Sequence, residues 1–226
     1  AEKASLRDLG YLLAEGRTGS TTVAATMFAS HRAGIRVFAT GGIGGVHRGD
    51  GQDISADLTA LATTPVAVVC AGVKAVLDLP RTVEALETLG VPVVGQKTGV
   101  MPEFWTRGGD LPVSVRSDRP TTTAGILHAH WGCGLPSGVV VANPIPVTDE
   151  ADPQTIADAI AGGLAAADAA GVHGRDVTPF LLAHIGQTTR GASLAANVAL
   201  VKHNAAVAAE IAAALAALPT LGVERN

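Results

Sequence analysis

The chain is poor in rings and poor in charge. Of its 226 residues, 3% are Phe, Trp or Tyr and 16% are Asp, Glu, Lys or Arg, whereas 47% are apolar. So large an apolar share excludes a disordered chain. With so few aromatics, helix and sheet faces must close through Ala, Val, Leu and Ile. The formal net charge of −4 leaves no basic field for a nucleic acid backbone, so no polynucleotide partner is expected. A single phosphate can still be held locally. Two cysteines, Cys70 and Cys133, are too few for a disulfide framework in a chain this long and read as reduced and cytoplasmic. The opening Ala1-Glu2-Lys3-Ala4-Ser5 lacks a charged-then-apolar leader. The longest apolar-leaning helix, near Ala205 to Leu218, is interrupted by Glu210 and reads as too short for a bilayer. A soluble protein with no membrane partner is expected.

What is present is an alternation of short apolar runs and helical patterns. Val66 to Cys70, Val91 to Val94 and Val139 to Ala142 are near-continuous apolar runs, the pattern of strands covered on both faces. Ile35 to Ala39 and Val113 to Arg116 add two more strands. Helices are expected over Ser5 to Ala14, from a Ser20-Thr21 cap to His31, and over Ile54 to Ala62, Leu77 to Leu89 and Thr121 to Trp131. The last third is helical: Pro153 to Ala170, Thr178 to Thr188 and Ser193 to Leu218. This order implies a three-layer α/β/α fold with a mostly parallel sheet and a helix-rich C-terminal third. No fixed-period repeat or linker divides it, so residues 1 to 226 read as one domain.

The chemistry gathers between residues 37 and 74. The run Val37-Phe38-Ala39 empties into Thr40-Gly41-Gly42-Ile43-Gly44-Gly45, followed by His47 and Arg48. Such a loop is either an anion nest of backbone amides or a plain turn between strand and helix, and Thr40, His47 and Arg48 favour a polar ligand. It matches neither the dinucleotide fingerprint nor a Walker A loop. Asp53 and Asp57 are four apart, which in a helix puts both carboxylates on one face. They read either as an oxygen site for a hard divalent ion or, for Asp53, as a helix N-cap. Ser55 between them can donate a hydroxyl to phosphate.

Lys74 leaves the Val66–Gly72 run with little polar company. It is either a desolvated amine, activated toward carbonyls, or a lysine that snorkels to solvent. Lys97 and Lys202 have weaker claims. Asn197, among Ala, Leu and Val of the last helix, either ties helices together or meets a polar ligand. No Cys/His spacing supports a structural zinc, and no G-x-S-x-G elbow marks a serine hydrolase.

The stretch from Val37 to Lys74 resembles the pseudouridine-5'-phosphate glycosidase family. So do Leu6-Arg7-Asp8-Leu9, Thr21-Thr22-Val23-Ala24, Leu86 to Pro92, Val140 to Pro146 and Thr178 to Leu182. The resemblance covers essentially the whole chain. It implies a homotrimer that reversibly splits pseudouridine 5'-phosphate into uracil and ribose 5-phosphate with one divalent metal, typically Mn2+. By that likeness Lys74 is the nucleophile, forming an imine with C1 of the ring-opened sugar, and Asn197 is an active-site amide. Asp53 is the metal ligand, and Lys3, Val23, Ser55, Ala56 and Asp57 line the substrate site. Thr40 and the glycine loop hold the sugar phosphate.

The family also carries a segment ahead of the Lys3 position, with a proton-donating Glu in an E-S-T motif that these 226 residues lack. The expectation is a piece of a longer enzyme rather than a paralogue without its acid. Local departures around Gln96-Lys97-Thr98 and Glu103-Phe104-Trp105 touch nucleobase choice. Three alternatives stand beside glycosidase activity: a C-glycoside synthase with another aromatic acceptor, a non-catalytic sugar-phosphate-binding paralogue, and an inert fragment.

Overall fold

The computed structural model describes residues 1–49, 52–172 and 177–219. Its centre is a five-stranded, wholly parallel sheet with spatial order β3-β4-β7-β5-β6. These strands are β3 (Val37–Ala39), β4 (Ala67–Cys70), β5 (Val93–Gln96), β6 (Val115–Ser117) and β7 (Val139–Ala142). Parallel strands need covered faces, and β4 and β7 are buried at every position. Alternate residues serve two cores. Val68, Cys70, Val140 and Ala142 face Met27, Leu58, Leu61 and Leu86. Ala67, Val69, Val139 and Val141 belong with Leu127, Ala208 and Ile211 on the other side. Helices α2 (Val23–Arg32), α3 (Ala56–Thr63) and α4 (Leu79–Thr88) supply the first layer, and α5 (Pro120–Gly132) and α8 (Ala192–Ala216) the second. The three-layer arrangement read from the sequence is therefore present.

Two features differ from the sequence reading. Ser20 and Thr21 do not cap a helix; they lie in a short strand, β2 (Gly19–Thr21), paired in parallel with β1 (Glu2–Ala4). Thr22 is the cap of α2, its hydroxyl accepting from Ala25 N. Asp53 and Asp57 do not share a helix face either. α3 begins at Ala56 with Ser55 as its cap, so Asp53 sits in the preceding loop. Ser55 wins that position because its hydroxyl accepts the Asp57 amide, a donor the first turn cannot otherwise satisfy.

The C-terminal third is helical as expected: α6 (Pro153–Ala169), α7 (Val177–Thr188) and α8. Continuous over 25 residues, α8 is long and apolar enough, by length and composition, to cross a membrane, so the shorter span read from sequence is corrected. It is docked across the sheet instead, with Leu200, Asn204 and Ile211 fully buried. The first helical segment resolves into a 3-10 turn, Leu6–Asp8, followed by α1 (Leu9–Ala14).

Candidate active site

In an open parallel sheet the carboxyl ends of the strands make a crevice where ordering reverses. Here β3, β4 and β7 end side by side, and the glycine loop leaves β3 along the exit of β4. Ile43 bridges Val73 in parallel, Ala71 N donates to Gly41 O, and Lys74 N donates to Ile43 O at 3.1 Å. Those bonds place the Lys74 backbone directly beside the loop.

The loop is packed for close approach rather than for open amides. Ile43 N donates to Gly72 O, Gly44 N to Asp57 Oδ2 at 2.8 Å, and Val46 N to Thr82 Oγ1 at 2.9 Å. A Cβ on Gly44 would meet Ser55 Oγ at 2.2 Å, and one on Gly45 would meet Thr82 Oγ1 at 2.3 Å. Most of the nest anticipated from the sequence is thus satisfied within the protein. Of the four loop glycines, Gly41 and Gly42 line a cleft.

That cleft, about 350 Å³, is lined by Val23, Thr40, Gly41, Gly42, Lys74, Phe104 and Asn197, among others. Lys74 is half-buried there, and its amine makes no hydrogen bond or ion pair among the described residues. Burial pushes the amine below its ordinary range; the Asp57 carboxylate pulls it back up, and Lys3 lowers it again. A second cleft, about 570 Å³, is lined by Lys3, His47, Asp53, Ser55, Ala56, Asp57 and Thr178, among others. Thr22 borders both. All nine residues singled out from the sequence line one of these two adjoining spaces.

Their roles divide further. Asp57 is 3% exposed and has both oxygens engaged: Oδ1 accepts from Ala24 N and Oδ2 from Gly44 N, each at 2.8 Å. It sits at the start of α2 and in the first turn of α3, where two helix dipoles favour a carboxylate. Its first task is to tie these elements to the glycine loop. Asp53 is half-exposed, with His47 Nδ1 at 3.7 Å. No group of three or more His, Cys, Asp or Glu side chains converges among the described residues. Any divalent ion at Asp53 would have that one carboxylate and water as its ligands, not a protein cage. Arg48 turns away from both clefts onto Ala75 O.

Three contributors were not among the site residues read from the sequence. Phe104 forms one wall with a backbone φ of 69°, unusual for a bulky residue, and its ring lies where a Cβ on Gly42 would come within 2.7 Å. The sequence marks Glu103-Phe104-Trp105 only as a departure from the family pattern that touches nucleobase choice. Asn143 and Asn204 are buried beneath the cleft, Asn143 Nδ2 donating to Asn204 Oδ1 at 2.9 Å. Asn204 had a signal: it lies seven residues after Asn197, on the same face of one apolar helix.

The family of indigoidine synthase A like proteins matches residues 1–214. The chain belongs to that family. Relatives of the chain include the pseudouridine-5'-phosphate glycosidase of Methylobacterium nodulans, 57% identical over 94% of this chain and 64% of that protein. That of Hahella chejuensis is 54% identical over 93% of this chain and 70% of that protein. The chain therefore spans about two thirds of the length of these relatives. The resemblance read from the sequence is borne out. Among solved structures, the prealnumycin C-glycosynthase AlnA in complex with ribulose 5-phosphate has a TM-score of 0.90 and 42% identity, covering 96% of this chain and 72% of that one. An indigoidine synthase A-like protein of Thermotoga maritima has a TM-score of 0.86 and 36% identity, covering 94% and 70%.

Proposed function

We propose that this chain carries the sugar-phosphate and amine machinery of a C-glycosidase that reversibly splits pseudouridine 5'-phosphate into uracil and ribose 5-phosphate. The observation that carries the reading is the Lys74 amine: largely buried, without an ion pair among the described residues, and beside a cleft bordered by Thr40, Gly41, Gly42 and Asn197. The names of the relatives support the substrate.

A carbon–carbon glycosidic bond has no heteroatom leaving group that one proton can release. An amine solves this. The ribose opens as C1–O4' breaks and the ring oxygen takes up a proton, while the neutral Lys74 Nζ bonds to C1 and gives up a proton. The nitrogen lone pair then forms C=N as the bond from C1 to uracil C5 breaks. The electron pair goes to C5 of uracil, which takes up a proton. Water then hydrolyses the imine, returning the aldehyde sugar and the free amine. Lowering the amine's proton affinity keeps more of it nucleophilic near neutral pH.

Within this reading Thr40, Gly41 and Gly42 border the phosphate end, and Asn197 is a hydrogen-bonding group for the open sugar. Lys3 adds positive charge from the second cleft. Ser55 and Ala56 line the same space, Val23 lines the Lys74 cleft, and Thr22 borders both. Asp53 would hold a manganese ion through one carboxylate and water, which would supply charge control in the second cleft. A homotrimer located in the cytoplasm completes the proposal. A second reading, bond formation onto another aromatic acceptor, is favoured by the likeness to the C-glycosynthase; it uses the same amine in reverse.

Incubation with ribose 5-phosphate and borohydride, followed by peptide mapping, tests the central step. Labelling confined to Lys74, and lost in Lys74→Ala, is expected. Label on another lysine, or none, defeats the assignment. Uracil release from pseudouridine 5'-phosphate, compared with transfer to other aromatic acceptors, then separates the two directions.

A further inference from the structure

We infer that Asn204, together with Asn143, is a positioning residue for the Lys74 cleft; this rests on the reading of that cleft as the sugar-phosphate site. Asn204 is fully buried on α8 and joins three segments at once. Its Nδ2 donates to Thr40 O at 2.8 Å, with Gly41 O at 3.5 Å, and its Oδ1 accepts from Asn143 Nδ2 at 2.9 Å. Asn143, at the exit of β7, also donates its backbone N–H to Cys70 O at the end of β4. One amide pair thus spans the carboxyl ends of β3, β4 and β7, and two of those ends lead directly to Thr40 and Lys74.

The same pair sets the register of α8. A helix that presents Ala and Leu to Val and Ala of a sheet slides at little cost, because small apolar contacts resemble one another along its length. A buried amide forbids the slide, since displacing it leaves polar atoms without partners. Two turns before Asn204, Asn197 reaches the cleft, its Oδ1 lying 3.3 Å from where a Cβ on Gly41 would stand. Locking Asn204 onto Thr40 therefore fixes where Asn197 stands relative to Gly41 and, across the cleft, to Lys74. The pair touches no reacting atom; it acts through the residues it holds.

The test separates positioning from simple stabilisation. In Asn143→Leu/Asn204→Leu the bond between the two amides is lost from both sides and only Thr40 O is left without its donor, so part of the stability lost in the Asn143→Leu single variant returns. A merely structural pair would recover function along with the melting temperature. The positioning role predicts otherwise. The ribose 5-phosphate concentration that half-saturates borohydride trapping at Lys74 rises about tenfold in the double variant, and Asn204→Asp, which keeps the acceptor but loses the donor to Thr40, behaves alike. Amide hydrogen exchange adds a readout that needs no chemistry: the Thr40–Ile43 segment and Ala71 exchange faster, while the centre of β5 does not. Absence of trapping in the unaltered chain would refute the imine assignment, and the exchange comparison would still decide the positioning claim. Unchanged exchange in Thr40–Ile43, or unchanged half-saturation where trapping occurs, overturns it.

Discussion

At the scale of the residue, environment rather than identity separates Lys74 from the other lysines. Lys97 and Lys202 line neither of the two clefts, whereas Lys74 combines burial with an open cleft beside it. Its proton affinity in the fold lies below the ordinary 10.5, with burial the leading cause. The unfolded chain therefore binds that proton more tightly, and the charged amine costs stability at every pH below the folded value. The cost fades as pH rises from there toward 10.5. Lys74→Met should raise the melting temperature at pH 7, and the gain should shrink in alkaline solution. Borohydride trapping by the unaltered chain should quicken with pH and reach half its maximum below 10.5. A methionine variant that melts lower at neutral pH would show that the amine is not desolvated. The Cys70 thiol is the opposite case: burial pushes it up to about 12, which leaves it a packing group.

At the scale of the element, strands and helices were legible where periodicity was sustained, and the site failed to be legible where contacts were distant. β7 falls where the Val139–Ala142 run predicts, and the helices from Pro153 onward follow their patterns within a few residues. β1 and β2 were missed because three-residue strands carry little periodic signal and gain their pairing only from each other. Asp53 and Asp57 were put on one face by spacing alone, yet the Ser55 cap shifts the helix start past Asp53. No local pattern could show that Asp57 accepts from Ala24 N, 33 residues earlier in the chain. That long reach makes Asp57 the joint of α2, α3 and the glycine loop. Asp57→Asn turns one acceptor into a donor facing a backbone N–H, and should cost about 2–3 kcal/mol in denaturant unfolding. A loss no larger than that of an exposed Asp→Asn change would mean that the two amides find other partners.

At the scale of the whole molecule, the clefts sit where the sheet, the small β1–β2 pair and the C-terminal helices meet. Lys3 comes from β1, Val23 from α2, Lys74 from the β4 exit, Thr178 from α7 and Asn197 from α8. No single supersecondary unit owns the site, so a ligand held there bridges segments that must separate on unfolding. Binding to the folded state alone stabilises by RT ln(1 + [L]/Kd), about 2.7 kcal/mol at a hundredfold excess over Kd. For a chain of this length each kcal/mol moves the melting temperature by roughly 2–4 °C, so ribose 5-phosphate at that excess should raise it by roughly 5–10 °C. Equal concentrations of ribose and of inorganic phosphate, each offering one half of the contacts, should do much less. Lys74→Met should retain part of the shift, because the phosphate end is bordered by Thr40, Gly41 and Gly42 rather than by the amine. A single cooperative transition that all three ligands leave unmoved would mean that the folded chain does not hold a sugar phosphate. A shift that inorganic phosphate reproduces in full would reduce the site to an anion cradle without sugar recognition.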